Sequence, residues 1–212
     1  MNVALVALSK PSAQTGCNTA DEFIAYCARV SNPDNQNNNK TAPGLLKYLI
    51  KHGHWSPFEM VSLTMEIQTT RDISHQIVRH RSFSFQEFSQ RYAVTNVFQI
   101  REARLQDEKN RQNSIATEDY ELDRKWQELQ KDIIRQTRYA YTWALEHGIA
   151  KEQARAVLPE GNTKSRMYVN GTLRSWVHYI ELRGANGTQQ EHMDIAHEVA
   201  SVIAKVFPLA KE

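Results

Sequence analysis

Val61-Ser62-Leu63-Thr64-Met65-Glu66-Ile67 decides how the chain folds. Val61, Leu63, Met65 and Ile67 alternate with Ser62, Thr64 and Glu66, the period-two pattern of a strand in a sheet with one covered face. After it, Thr70 reads as the cap of a helix from Arg71 to about Arg81, with Ile73 and Ile77 inward. Before it lies His52-Gly53-His54-Trp55-Ser56-Pro57-Phe58-Glu59, where Gly53 and Pro57 predict an ordered turn rather than helix or strand. Further upstream, a helix over Ala42–Lys51 carries Leu45, Leu46, Leu49 and Ile50 on one side. The Asn-rich segment Ser31–Asn39 is a loop. A helix capped at Thr19 or Asp21 runs through Phe23, Ile24, Cys27 and Val30. Asn2–Leu8 reads as a buried strand of small and β-branched residues.

Downstream, Asn96–Asn113 is polar, without a clear period, and reads as a long loop or flap. From Thr117 to about His147 the pattern is helical, with Leu122, Trp126, Leu129, Ile133, Gln136, Ala140 and Trp143 recurring at steps of four and three; Gly148 ends it. A short helix, Lys151–Val157, stops before Pro159. Thr163–Thr172 reads as a strand or an extended arm. Leu173–Leu182 is helical, with Trp176, Val177 and Ile180 inward and Arg174 and His178 stacked at i, i+4. Gln189–Val206 is a last helix with the stripe Ile195, Val199, Val202 and Val206. There are no internal repeats and no domain linker, so 1–212 is read as one domain.

Bulk properties narrow the class. With 41% apolar and 24% charged residues the composition is that of an ordinary globular protein, and a net charge of +2 does not mark a nucleic-acid binder. The charge is local: from Arg71 to Arg104, six arginines face only Asp72, Glu87 and Glu102. Two cysteines, Cys17 and Cys27, without metal-ligand spacing, point to a reducing, cytoplasmic compartment. Met1–Leu8 is apolar but too short for a signal peptide, and no stretch approaches the ~20 apolar residues of a membrane span.

The densest chemistry is Arg79-His80-Arg81-Ser82-Phe83-Ser84-Phe85-Gln86-Glu87-Phe88-Ser89-Gln90-Arg91-Tyr92. Such donors beside flat rings suit a ligand with phosphates at one end and a planar base at the other. The plain alternative is a solvated helix end, with Arg81 and Arg91 paired to Glu87. Ser89 and Arg91 can grip one phosphate from two sides, while the three phenylalanines read as packing behind the loop. His52 and His54 lack a third and fourth ligand for zinc, so no metal is expected. Arg155 leads a helix end closed by Pro159; Arg174, His178 and Arg183 share one helix, where a cation near the C-terminus is favourable by ~0.3–1 kcal/mol without any function. Cys17 and Cys27 stand far in sequence from these motifs. No Gly-x-Ser-x-Gly elbow, phosphate-cradling Gly-x-x-x-x-Gly-Lys loop or Gly-x-Gly-x-x-Gly fingerprint occurs.

Taken jointly, the motifs resemble the flavin-dependent thymidylate synthases. Arg79-His80-Arg81, seven residues, then Ser89-Gln90-Arg91 is similar to the family signature. Its companions follow in order: His52-Gly53-His54-x-Ser56-Pro57-Phe58-Glu59 upstream, then Arg155-x-Val157-Leu158-Pro159, Leu173-Arg174-Ser175, Leu182-Arg183 and Gln189-x-Glu191. The resemblance spans roughly residues 45–206. It implies an α/β fold of the α+β type, an antiparallel-containing sheet with several helices, and a homotetramer with shared active sites. It implies FAD as cofactor and conversion of dUMP to dTMP, with methylenetetrahydrofolate as carbon donor and NADPH as reductant.

Carried over by position, His54, Ser56, Arg79, His80, Arg81, Glu87, Thr172, Arg174 and His178 resemble the flavin contacts. Gln76, Arg79, Glu87, Ser89, Gln90, Arg91, Arg155 and Arg183 resemble the dUMP set, Arg155 reaching a neighbouring subunit's site. Arg183 resembles the catalytic arginine by the uracil ring, where a cation favours loss of the N3 proton and so activates C5. Gln86, His178 and Asn170-Gly171-Thr172 depart from the commoner pattern, which bears on flavin hydrogen bonding rather than on class. Two rivals remain: a nucleotide- or RNA-binding module using Arg79, Arg81 and Arg91 with Phe83, Phe85 and Phe88 as stacking platforms, and an FAD oxidoreductase with another acceptor.

Overall fold

The computed structural model describes residues 2–185 and 187–207; Met1, which opens the apolar N-terminal run, lies outside them. The alternating stretch is central. Strand β2, Ser62–Thr70, pairs with β1, Asn2–Leu8, on one side and β6, Lys164–Thr172, on the other. Strand β3, Ser84–Glu87, closes the far edge, so the order is β1-β2-β6-β3 and every pairing is antiparallel. β2 outlasts its apolar alternation because β6 continues the ladder, from Ser62 opposite Thr172 to Thr70 opposite Lys164. The α+β fold implied by the resemblance is the one observed.

One face of this sheet carries the core. Leu63, Met65 and Ile67 of β2 and Met167 and Val169 of β6 are buried together with residues of five helices: α1 (Ala20–Ala28), α2 (Ala42–Lys51), α3 (Arg71–Ile77), α6 (Leu173–Arg183) and α7 (Gln190–Val206). Each such large side chain contributes roughly 1.5–3 kcal/mol by leaving water. Trp176, on α6, donates its ring N–H to the Leu63 carbonyl at 3.2 Å, so its burial leaves no unpaired donor. Tyr179 joins it in the core, whereas Val177 and Ile180 are only half-buried. Thr19 caps α1 by accepting from the Glu22 amide.

Several expectations are corrected. β1 is not a buried strand: it is a sheet edge, and only Val3 is buried. α3 ends at Ile77, four residues before Arg81. The chain turns there through amide bonds from His80 to Ile77 and from Phe83 to His80. The turn seats Phe83 on Gly171, where an added Cβ would lie 2.2 Å from the Phe83 ring. The turn at 52–59 closes with a 3₁₀ segment, Ser56–Met60, and the helix at 151–157 splits into α5, Lys151–Ala154, and a 3₁₀ turn, Arg155–Val157.

The supposed loop at 96–113 contains β4, Arg104–Gln106, which pairs with β5, Ser114–Ala116. Strands of three residues are too short to show a period. Helix α4, Tyr120–Glu146, begins three residues after Thr117, capped by Asp119, whose carboxylate accepts from the Leu122 amide. Its inward residues are Gln130, Ile134, Thr137, Tyr141 and Ala144; Leu122, Trp126, Leu129, Ile133 and Trp143 stand 42–48% exposed. Among the described residues no helix is long and apolar enough to cross a membrane.

Candidate active site

Helix α6 links the two parts of the site. Thr172 caps it, its hydroxyl accepting from the Ser175 amide at 3.2 Å. From its first turns Arg174 and His178 enter a cavity of about 350 Å³ that also meets Trp55, Glu59, Ser82 and Glu181. Arg174 is ion-paired to Glu59, and the Ser175 hydroxyl approaches the Ser82 carbonyl at 3.5 Å. The i, i+4 spacing of Arg174 and His178 thus does what it suggested. His54 and Ser56 are exposed nearby in sequence to Trp55 but do not line this cavity. The His54 ring centroid lies 6.3 Å from that of His52 and 6.1 Å from that of Tyr48. Arg79 and Arg81 are exposed, and among the described residues neither has an ion-pair partner.

At the other end of α6, Arg183 donates from Nε to Nε2 of His80 at 2.9 Å, across 103 residues of sequence. An imidazole nitrogen that accepts from a guanidinium carries no proton, so His80 is neutral with its hydrogen on Nδ1. Burial first, then Arg183 and His178, push its pKa down to about 4. Tyr179 packs edge-on against His80 at 5.1 Å and lies 5.7 Å from His192. His192 is fully buried on α7, and its pKa is pushed down to about 3 by burial, then by Arg183 and His80. Its Nδ1 lies 3.1 Å from the Gln76 carbonyl oxygen, while the Gln76 amide donates to Gln189 at 2.8 Å.

Glu87 is built into the scaffold. Its Oε1 accepts from Arg71 at 3.3 Å, Ser74 at 2.8 Å and Ser165 at 2.6 Å. The plain alternative, Glu87 paired with Arg81 and Arg91, does not occur, because α3 and β6 reach Glu87 first. Arg91 instead pairs with Glu152 of α5 at 3.3 Å, and Arg155, three residues beyond Glu152, is half-buried. The Ser89 hydroxyl accepts from the Arg91 amide at 3.3 Å. Gln90 is buried, and its side-chain nitrogen has no partner among the described residues. Behind this wall Arg101 bonds Asp72 at 2.8 Å and approaches Glu191 at 3.6 Å, locking α3 to α7.

The cavity and the arginine wall can now be set beside known proteins. A family profile described as thymidylate synthase complementing protein matches residues 14–209. A probable flavin-dependent thymidylate synthase of Paramecium bursaria Chlorella virus 1 is 52% identical over 209 residues, covering 98% of this chain and 96% of that one. The chain belongs to the flavin-dependent thymidylate synthase family. A second member, from Synechocystis, is 46% identical over 98% of this chain and 96% of its own length. Among solved structures, the UMP/dUMP methylase PolB of Streptomyces cacaoi, bound with 5-Br dUMP, superposes with a TM-score of 0.82 at 27% identity, covering 99% of this chain and 92% of that one.

In this thymidylate synthase family member the motifs assign no role to Trp55 and Glu59, though both stand in the 52–59 stretch, nor to Glu181 in the cavity, Arg71 and Ser165 on Glu87, or His192 on Gln76. Glu59 and Arg174 meet across 115 residues, a distance no local pattern reports. His192 had a signal: it precedes Ile195 and Val199 by three and seven positions, and so continues the inward stripe of α7.

Proposed function

We propose that the chain is a flavin-dependent thymidylate synthase that methylates dUMP to dTMP, taking the carbon from methylenetetrahydrofolate and reducing equivalents from NADPH through FAD. The whole of 1–212 is assigned to one such domain, acting in the cytoplasm, where its two free thiols stay reduced. The observation that carries the reading is α6 itself. Arg174 and His178 serve a cavity near its start, and Arg183 meets His80 at its end, about 14 Å along the axis at 1.5 Å per residue. That spacing suits a cofactor and a nucleotide held side by side.

The donor set fits a flavin dinucleotide: cations for a pyrophosphate at Arg79, Arg81 and Arg174, and polar edges for the rings at His54, Ser56, Thr172 and His178. His80 and Glu87 are assigned to the same boundary, where flavin and nucleotide meet. When bound, the flavin supplies the hydride that reduces the transferred carbon. The chain's own residues position and polarise. Ser89, Gln90 and Arg91 receive the nucleotide phosphate, Arg155 reaches the site of a neighbouring subunit, and Gln76 and Arg183 face the base. A guanidinium beside the uracil favours the N3-deprotonated ring and so a more nucleophilic C5. Neutral His80 can orient that cation without competing with it for charge. Neither Cys17 nor Cys27 lines the cavity or touches the arginine cluster, which leaves base activation to charge rather than to a thiolate.

A homotetramer with shared sites is part of the proposal. Its support is the exposed apolar stripe of α4, which an isolated chain would leave in water. The test begins with colour. The purified protein should show the two oxidised-flavin bands and bleach with NADPH; a colourless protein that takes up no added FAD contradicts the reading. Arg91→Ala should weaken dUMP roughly 10- to 100-fold, the range of a lost charge-assisted bond, and leave FAD affinity nearly unchanged. Equal losses of both ligands would show that Arg91 is misassigned.

A further inference from the structure

We propose that His192 is a positioning residue for the nucleotide, acting through Gln76. The proposal rests on the assignment of Gln76 to the dUMP site. A carbonyl oxygen only accepts, so the 3.1 Å contact between His192 Nδ1 and Gln76 Oε1 places the imidazole proton on Nδ1. The other end of the Gln76 amide is fixed as well, since its nitrogen donates to Gln189 at 2.8 Å. Turning this amide over would require the His192 tautomer and the Gln189 amide to reverse with it. The amide offers the ligand one defined pattern, its second N–H and the remaining lone pair of Oε1. Uracil carries carbonyls on either side of an N–H, so a base-facing amide whose donor and acceptor exchanged places would lose its match.

The surroundings keep His192 in the state this requires. Its Nε2 is buried without a partner among the described residues. A proton on Nε2 alone would leave a buried N–H donor without an acceptor and remove the donor to Gln76, and protons on both nitrogens would bury a charge beside Arg183. The groups packed around the ring are Tyr179 and Arg183 from α6, His80 from the turn after α3, and Gln76 from α3 itself. None supplies a carboxylate. The imidazole therefore stays neutral, and its one proton stays on the Gln76 side.

The experiment uses the FAD-loaded protein and measures dUMP affinity and turnover for the wild type, His192→Phe, His192→Asn and Gln76→Ala, and for the double variant of His192→Phe with Gln76→Ala. His192→Phe should raise the dUMP Kd and KM roughly tenfold, the worth of one well-placed hydrogen bond, with kcat and FAD affinity changed less than twofold. His192→Asn, which keeps an N–H near the Nδ1 position, should recover most of the loss. In the Gln76→Ala background His192→Phe should cost nothing further in dUMP affinity. Unchanged dUMP affinity in His192→Phe, an equal loss in the Gln76→Ala background, or a loss shared with FAD would each overturn the proposal. Should His192→Phe fail to fold, ¹⁵N shifts of the wild-type ring decide: a protonated Nδ1 supports the proposal and a protonated Nε2 overturns it. A wild-type protein that binds FAD but no dUMP rejects the thymidylate synthase reading itself, and the proposal with it.

Discussion

Strand β2 and helix α4 carry the two most regular apolar patterns in the chain, and they meet opposite surroundings. On β2 the apolar residues Leu63, Met65 and Ile67 are sealed against helices, each at 1% exposure or less. On α4 the apolar residues Leu122, Trp126, Leu129, Ile133 and Trp143 face water, while Gln130, Ile134, Thr137, Tyr141 and Ala144 face the protein, and Gln130, Ile134 and Ala144 each directly follow one of the exposed residues. The buried series on α4 steps by four and three, and Leu122, Trp126, Leu129 and Ile133 keep the same steps, so the two run in parallel about 100° apart around the helix. Periodicity reports which residues share a face. It does not report whether the cover comes from the same chain or from another. The β2 face is covered from within; the α4 stripe is exposed in the single chain, and the proposed assembly would be what covers it.

The comparison can be broken at its strongest point first. Met65→Ala should cost about 2–5 kcal/mol by opening a cavity in the core against the sheet, read as a lower denaturant midpoint at unchanged m-value. A loss below 1 kcal/mol would mean that the β2 face is less tightly covered than its burial indicates. Acid comes next. The pKa of His192 is depressed to about 3 in the fold, against about 6.5 in the unfolded chain. The unfolded state therefore takes up its proton first as pH falls. Stability is flat above about pH 6.5 and declines below it towards pH 3, by at most about 1.4 kcal/mol per pH unit for this one group. His80 adds a smaller share between pH 6.5 and 4, since it is partly solvated. His192→Asn should flatten that slope; an unchanged slope would place the acid sensitivity elsewhere.

The smallest effect on the chain itself is expected on α4. Ile133→Glu should shift monomer stability by no more than about 0.5 kcal/mol, as for an exposed position. It should instead lower the assembly state in sedimentation and remove any dependence of Tm on protein concentration. A variant that stays assembled would mean that the stripe is not the interface.

Much of the fold was legible because its elements are long and one-sided. Helix 42–51 and the strand ending at Thr172 appear where their patterns place them. What was hidden depends on contacts between distant segments. α3 ends early because Phe83 must reach Gly171. The hairpin at 104–116 is held by Arg101, whose amide bonds Gln130 of α4 at 2.9 Å. β1 looked buried by composition but lies on an edge, a property of strand order. The site divides the same way. Arg174 with His178 could be seen along one helix, whereas His80 with Arg183 and Gln76 with His192 meet only after folding. Polar residues on an apolar stripe, as His192 on α7, are the one local clue to such meetings.

The role proposed for this arginine-lined surface is to activate C5 of dUMP for methylation. Its most direct test is tritium release from C5-labelled dUMP by the FAD-loaded protein with methylenetetrahydrofolate and NADPH. Release that requires the folate and the reductant, matched by dTMP formation and strongly reduced in Arg183→Ala, is the expected result. Protein that binds dUMP and is reduced by NADPH, yet releases no tritium, would contradict it.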